Sequence, residues 1–339
     1  MEHSVKPPSS NSIEISVVVP VRDEEASIRI LLDGLLGQTL PPKEILITDG
    51  GSVDATREII EEFIQSGAPV KLLRERNSMP GRARNVGVKN ATCDWIAFTD
   101  AGIRPDPNWL ASLAAKAGAA PNAEVVYGSF APIVDSFFKE CAAMAYLPPP
   151  SKINGISTSA KSIASALMHR HVWESAGGFP EHLRSAEDLL FMQRVEAQGS
   201  RELRAPEALV HWNIQGNLWR TFKRFVTYAR NNIRAGLWRQ WQAAIFQRYA
   251  GLAIISAPAI LFGWRWLAVP GACWILLLLA RAARALKKNR SVYPAVLGRN
   301  FLRLLMLLII IATLDLAALV GSINWLLLDA FQPGNAKSR

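Results

Sequence analysis

The sequence predicts an α/β domain built on a parallel sheet, followed by an amphipathic helix and about three membrane-crossing helices. Three observations predict it. Short β-branched runs alternate with helical repeats through the first third of the 339 residues. Aspartates follow two of those runs directly, at Asp49 and Asp100. From about Tyr249 the chain turns into long apolar runs such as "LAVPGACWILLLLA" and "FLRLLMLLIIIATLDLAALVGSINWLLL".

The first run, "ISVVVPV" (15–21), reads as a buried parallel strand closed near Pro20. Asp23 is placed to cap the next helix, in which Ile28, Leu31, Leu32, Leu35 and Leu36 recur at helical spacing. "EILIT" (44–48) is a second strand leading to Asp49 and the turn Gly50-Gly51-Ser52. Asp54 then caps a helix reaching to about Gln65. "VKLL" (70–73) is a third strand, "GRARN" (81–85) opens a helix, and "WIAFT" (95–99) is a strand ending on Asp100. This alternation gives a parallel sheet with helices on both faces, and ligands bind beyond the carboxyl ends of its strands. Asp49 and Asp100 both fall there.

Beyond Ala101 the alternation loosens. Trp109 to about Ala117 reads as a helix, "EVVYGSF" as a strand, and "PPPSKINGIS" (148–157) as a flexible loop. "SAEDLLFMQRVEAQG" is a helix whose first turn carries Glu187 and Asp188. Acids at a helix N-terminus offset the helix dipole, so a simple cap accounts for this pair as well as chemistry does.

From Asn217 to Trp241, Leu218, Phe222, Phe225, Ala229, Ile233, Leu237 and Trp241 recur every three or four residues. Arg220, Lys223, Arg230, Arg234 and Arg239 lie between them. The pattern is that of a helix in a membrane interface, with the basic solvated face of a core helix as its rival. Tryptophan placement favours the membrane, since eight of eleven lie after residue 211. Spans are expected near 247–265, 267–285 and 302–328. The first two are separated only by "WRW", which also suits a re-entrant hairpin. The loop carrying Arg281, Arg284, Lys287, Lys288, Arg290, Arg299 and Arg303 belongs in the cytoplasm by its charge, and three spans then leave the C-terminus outside.

Composition narrows the function further. A net charge of +10 could indicate nucleic acid, but no basic motif interleaved with aromatics is present, and a basic membrane protein faces anionic lipid instead. Cys93, Cys141 and Cys273 have no metal-ligand spacing and fit a reducing compartment. The opening residues, "MEHSVKPPSSNS", lack the apolar core of a signal peptide. The chain divides into a disordered 1–12, a domain at 13–215, an interfacial helix region at 216–245, a membrane region at 246–330 and a tail at 331–339.

The ordered set "SVVVPVRDEEASI", "ILITDGGSVDAT", "GRARNVGVKNA", "WIAFTDAG", "GGFPEHLRSAEDLLF" and "ALVHW" resembles the family-2 glycosyltransferases of the GT-A fold, over about residues 13–215. The apolar segments after it resemble the membrane-anchored bacterial members that glycosylate lipids or export polysaccharides. The resemblance implies an inverting transferase that takes a sugar, most simply from a UDP-sugar, to a lipid-linked acceptor. It would work at the cytoplasmic face of the cell inner membrane as a multi-pass protein. A processive polysaccharide synthase and a non-catalytic membrane scaffold are the rival readings.

Residue by residue, the resemblance gives Asp49 a nucleotide-binding role, although an aspartate before Gly-Gly also caps a turn. Pro20, Val21 and Glu24 match the loop that touches the nucleotide. Arg82, Arg84 and Asn85 open a helix whose N–H and guanidinium groups suit phosphate, with a solvated basic face as the alternative for Arg82. Asp100 matches the first acid of the family's Asp-x-Asp motif, and Gly102 stands where the second belongs. A divalent Mg²⁺ or Mn²⁺ would then rest on Asp100 and His211, together with diphosphate oxygens and water. Asp188 matches the general base, with Glu187 orienting it or the sugar.

Overall fold

The computed structural model describes residues 13–153, 155–294 and 297–330. The expected disordered stretch 1–12 and the tail 331–339 lie outside the described residues. The chain opens with β1 (Ile15–Val21), α1 (Ile28–Leu36), β2 (Glu44–Asp49), α2 (Thr56–Gln65), β3 (Val70–Arg74) and α3 (Pro80–Asn90). β4 (Trp95–Phe98), β5 (Ile103–Pro105), α4 (Trp109–Gly118), β6 (Val125–Pro132) and α5 (Phe137–Tyr146) follow. Next come β7 (Ser151–Ile153), β8 (Ile156–Thr158), β9 (Ala166–His169), α6 (Arg170–Ser175), α7 (Glu187–Ala197) and β10 (Glu202–Trp212). The rest is helical: α8 (Leu218–Arg234), α9 (Trp238–Trp241), α10 (Ala243–Ser256), α11 (Ala259–Phe262), α12 (Ala268–Lys288) and α13 (Leu297–Leu328).

An eight-stranded sheet, ordered β3-β2-β1-β4-β9-β6-β10-β5, carries the domain. β1 and β2 are buried on both faces, which is why they read as continuous apolar runs rather than alternating ones. On one face Leu31, Leu32, Ile60, Trp109 and Leu113 bring α1, α2 and α4 onto the sheet. On the other, Val88, Val172 and Phe191 bring α3, α6 and α7.

The sheet is mixed where a parallel one was expected. β9 runs antiparallel between β4 and β6, and β5 runs antiparallel on β10. For β9 the cause lies in α5, which packs on α12 and α13 rather than crossing back over the sheet. The chain therefore re-enters from the edge it left by, and the returning strand must run backwards.

Four local expectations also change. The segment 148–157 carries the antiparallel pair β7 and β8 in place of a loop. Asp23 does not cap α1; it holds φ +55 and accepts the Val53 N–H at 2.9 Å. A short polar side chain with a local hydrogen bond makes that backbone tolerable. The basic amphipathic stretch breaks at Gly236, whose φ of +73 ends α8 and starts a turn into α9. Asp54 does not cap α2 either: the cap position is Ala55, and Asp54, one residue earlier, accepts the Thr56 N–H at 3.1 Å in a local turn.

A third apolar cluster joins Cys141 and Met144 of α5 to Leu278 of α12 and to Leu307, Ile310 and Ile311 of α13. Residues Ala243–Phe262, Trp264–Lys288 and Leu297–Leu328 are each long and apolar enough to cross a membrane.

Candidate active site

The parallel strands bring their carboxyl ends to one edge, and the predicted residues gather there. Val21 closes β1, Asp49 closes β2, and Asp100 follows β4. Asp49 is buried, and the Gly50-Gly51-Ser52 turn folds back onto it. Its Oδ1 accepts from the Ser52 N–H at 2.9 Å and the Ser52 hydroxyl at 2.6 Å, while Oδ2 faces Arg57 Nε at 3.9 Å. One carboxylate oxygen serves the turn and the other a cation.

After Pro20 and Val21 the chain enters the loop of Glu24. The Glu24 N–H donates to Thr56 Oγ1 at 2.8 Å, and its carboxylate accepts from Ser27. Burial pushes the Glu24 carboxyl above its usual range; the Ser27 hydroxyl and Arg224 oppose the rise, and Asp100 and Asp54 add to it.

Arg84, on α3, is the centre of the arrangement. Its Nη2 donates to Asp100 Oδ1 at 2.6 Å and its Nη1 to Glu187 Oε1 at 2.8 Å. The guanidinium lies 5.4 Å from the centre of the Phe179 ring, and the side chain is 4% exposed. A single buried cation thus ties the end of β4 to the start of α7. Asp100 keeps 43% of its side chain exposed, so its carboxylate stays open to a ligand.

Asp188, beside Glu187 in the first turn of α7, accepts the Leu189 N–H at 2.9 Å. Burial pushes it up to about 6, the Glu187 carboxylate adds to the rise, and Arg84 opposes it. The buried Glu187 Oε2 and Arg84 Nε have no hydrogen-bond partner. Ala186, just before them, holds φ +69. That left-handed conformation costs a non-glycine residue ~1–2 kcal/mol, and such strain collects at functional sites.

The other two residues at the start of α3 face protein groups. Asn85 donates to the Phe179 carbonyl and to Glu181 Oε1, both at 2.9 Å. Its Oδ1 accepts from Trp173 Nε1 at 3.0 Å and the Phe179 N–H at 2.8 Å. Arg82 pairs with Glu75 at 2.6 Å and Glu181 at 3.5 Å. His211, near the end of β10, faces Asp106 at 3.7 Å, whereas the partner of Asp100 is Arg84. Among the described residues, no three His, Cys, Asp or Glu side chains converge to hold a metal.

α8 supplies residues that the motifs did not reveal. Arg224 lies over the rings of Trp212, at 5.5 Å, and Tyr228, at 5.8 Å. Burial pushes the Tyr228 hydroxyl up; Arg224 opposes the rise, and Asp188 and Asp100 add to it. Arg224, Tyr228 and Asn231, spaced by four and three residues, share the face of α8 turned to the α/β domain. That spacing was the available signal, hidden inside a run of similar basic residues.

Residues 16–163 match the sequence model described as glycosyl transferase family 2. Glycosyltransferase AglE of Haloferax volcanii is 29% identical over 197 residues, which cover 55% of this chain and 62% of that protein. The chain thus spans less than two thirds of that relative's length. The mannosyltransferase PcManGT from Pyrobaculum calidifontis, solved with GDP-Man and Mn²⁺, superposes with a TM-score of 0.54 at 18% identity. That match covers 95% of this chain and 90% of the other. S. aureus TarS in complex with UDP-GlcNAc gives a TM-score of 0.50 at 18% identity, covering 92% of each chain. These two likenesses concern the fold, which is GT-A. The match to the glycosyl transferase family 2 model over residues 16–163 and the GT-A fold thus fall on the same α/β domain, which continues into three apolar helices.

Proposed function

We propose that the protein transfers a sugar from a nucleotide-diphosphate sugar to a lipid-linked acceptor at the cytoplasmic face of the inner membrane, inverting the anomeric centre. The observation that carries this reading is the Arg84 bridge. It holds Asp100 and Glu187 together and leaves Asp188 beside them with a raised pKa. A carboxylate near 6 can take a proton at neutral pH, as a general base must.

The acceptor hydroxyl oxygen forms the new bond to the anomeric carbon as its proton passes to Asp188. The bond from that carbon to the diphosphate breaks, and the nucleoside diphosphate leaves. Glu187, fixed by Arg84, orients Asp188 and the sugar. Asp49, Glu24 and the Pro20-Val21 turn hold base and ribose. Asn85, with its amide spent on the Phe179–Glu181 loop, positions that loop against α3. Arg224 approaches from α8 as a cation for the diphosphate.

Charge balance supports a divalent ion. Glu24, Asp100, Glu187 and Asp188 are acids, with Arg84 and Arg224 against them. A diphosphate adds further negative charge. The open carboxylate of Asp100 fits Mg²⁺ or Mn²⁺ brought in with the donor, an ion that needs only one or two carboxylates. When bound, such an ion offsets charge on the departing diphosphate. The UDP-sugar and GDP-sugar complexes of the two similar structures support a nucleotide sugar as donor.

Transfer from UDP- and GDP-sugars to lipid extract by the detergent-solubilised chain tests the reading. Asp188→Asn should lower the rate by ~10²–10⁴-fold while nucleotide binding persists. A mutant at wild-type rate reduces Asp188 to a helix cap and removes the mechanism.

A further inference from the structure

Length and a mean hydropathy of 2.6 make α13 a candidate span, but its contacts show where both ends lie. At the amino end, Arg299 and Arg303 both donate to Glu140 on α5, and Arg303 is buried there. At the carboxyl end, Asp329 accepts from Arg230 of α8, at 2.6 Å from Nε and 2.8 Å from Nη2. Both partners sit on helices held against the α/β domain, α5 by Lys139, which donates to Asn213 Oδ1 at 2.9 Å, and α8 by Asn231 and Arg234. Tyr146 of α5 packs on Phe225 of α8 with ring centres 5.0 Å apart. Farther along α8, Asn231 Oδ1 accepts the Arg184 N–H at 3.4 Å, and Arg234 donates to the His182 carbonyl at 3.1 Å.

Between its ends α13 lies flush on α8. A Cβ at Gly321 would stand 2.5 Å from the Val226 carbonyl and 2.7 Å from Ala229 Cβ, so only glycine permits the approach. From Arg303 to Asp329 is ~39 Å of helix, against a hydrocarbon core of ~30 Å. A crossing helix would carry Asp329 to the far face, away from Arg230.

We propose that α13 lies in the plane of the membrane surface beneath α8, and that only the hairpin 243–288 enters the bilayer. Lipid is the partner that its free side fits. Leu302, Leu305, Ile309, Leu316, Ile323 and Leu327 form one stripe, 43–69% exposed. The protein-facing side carries Arg303, Asp315, Ala318 and Gly321, all buried.

Asp315 supports the same placement. It stands midway along α13, bonded to Arg281 of α12 at 2.5 and 2.9 Å, with Arg248 of α10 at 3.9 Å. In a spanning helix these charges would lie near the bilayer centre, where ionised side chains are costly even when paired. In an in-plane helix they lie at headgroup depth. Both arginines are at the base of the hairpin, within ~9–11 Å of its ends at Gln242 and Lys288. The hairpin's tip is bare, with Ile260, Leu261, Phe262 and Trp264 69–88% exposed.

It follows that the carboxyl end of α13, at Asp329, lies on the side of the α/β domain, opposite to the outcome of three crossings. This placement does not depend on the glycosyltransferase reading.

Two measurements on the full chain test it. A topology reporter fused after Arg339, in a bacterial inner membrane, should report the same side as a reporter on the N-terminus. Spin labels at Leu305→Cys, Leu316→Cys and Ile323→Cys, in a Cys273→Ser background, should lie at one shallow depth in vesicles containing phosphatidylglycerol. A C-terminal reporter on the far side, or a depth profile deepest at Leu316, overturns the proposal. The fusion carries no substitution, so it decides the matter even where a cysteine variant fails to fold.

Discussion

In the proposed mechanism Asp188 couples function to stability through one proton. Its folded pKa, raised to about 6, lies above the ~3.9 of an unfolded aspartate. Between those values the native state binds more protons than the unfolded chain, so this group's contribution to stability falls as pH rises through the window. Above pH 6 the ionised carboxylate destabilises the fold, and the same ionisation is what a base requires. Asp188→Asn should therefore melt higher than wild type above about pH 6 and equally near pH 3. Wild-type transfer should fall as pH drops through about 6. A calorimetric pH series beside a rate profile checks both. At Gly102 the backbone raises no objection to a side chain: its φ lies outside the left-handed range, and a Cβ meets nothing within 4 Å. Gly102→Asp is then sterically free and restores a second carboxylate two residues from Asp100. Its half-maximal Mg²⁺ or Mn²⁺ concentration should fall about tenfold, and wild-type activity should drop in excess chelator. Full activity in chelator would leave the diphosphate to arginines.

At the scale of elements, buried polar contacts join strands that sequence spacing leaves unconnected. Glu44 opens β2, 4% exposed, and accepts from Lys71 of β3 at 2.7 Å and Ser16 of β1 at 2.7 Å. It also accepts the hydroxyl of Thr92 at 2.7 Å, at the entry to β4. Burial would raise this carboxyl, but the Lys71, Ser16 and Thr92 hydrogen bonds outweigh it and hold it down to about 2. Because the folded pKa is depressed, the stabilisation is full above the unfolded value of ~4.3 and is lost as pH falls through about 2. Glu44→Gln should cost about 1–3 kcal/mol at pH 7, read from urea melts, and the gap should close towards pH 2. α8 is the other decisive element. It turns Arg224 and Tyr228 towards Asp100 and Asp188 while Ala229 and Arg230 meet α13.

Across the whole molecule, the acids gather at one edge of the sheet, and the apolar surface gathers on the helices beyond it. Arg220, Lys223, Arg239, Lys287 and Lys288 remain exposed around that apolar surface. Each basic residue near an anionic lipid surface contributes about 1 kcal/mol and is screened by salt. Lys287→Glu with Lys288→Glu should therefore weaken binding to phosphatidylglycerol vesicles by at least tenfold at low salt, with a smaller effect at high salt. Sedimentation of the protein with vesicles measures it. An unchanged distribution would remove the basic loop from the membrane contact.

The local patterns that determined the fold were short and strong. β-Branched runs, turn glycines and helical spacing sufficed for β1 to β4, for the helices between them and for the three apolar helices, because each is a property of neighbouring residues. The positions of Asp49 and Asp100 at the carboxyl edge followed from the same alternation. Tertiary structure decided what lay between distant residues. It alone turned β9 against its neighbours, spent Asn85 on the Phe179–Glu181 loop, made Arg84 a bridge between Asp100 and Glu187, and paired His211 with Asp106. A side chain's charge and reach are written in its residue type. Which partner meets it depends on how separate elements stack, and so do the desolvation and neighbouring charge that set its pKa. The same holds for α13: hydropathy measures the cost of leaving it in water, while the ion pairs at Glu140 and Arg230 decide where its ends lie.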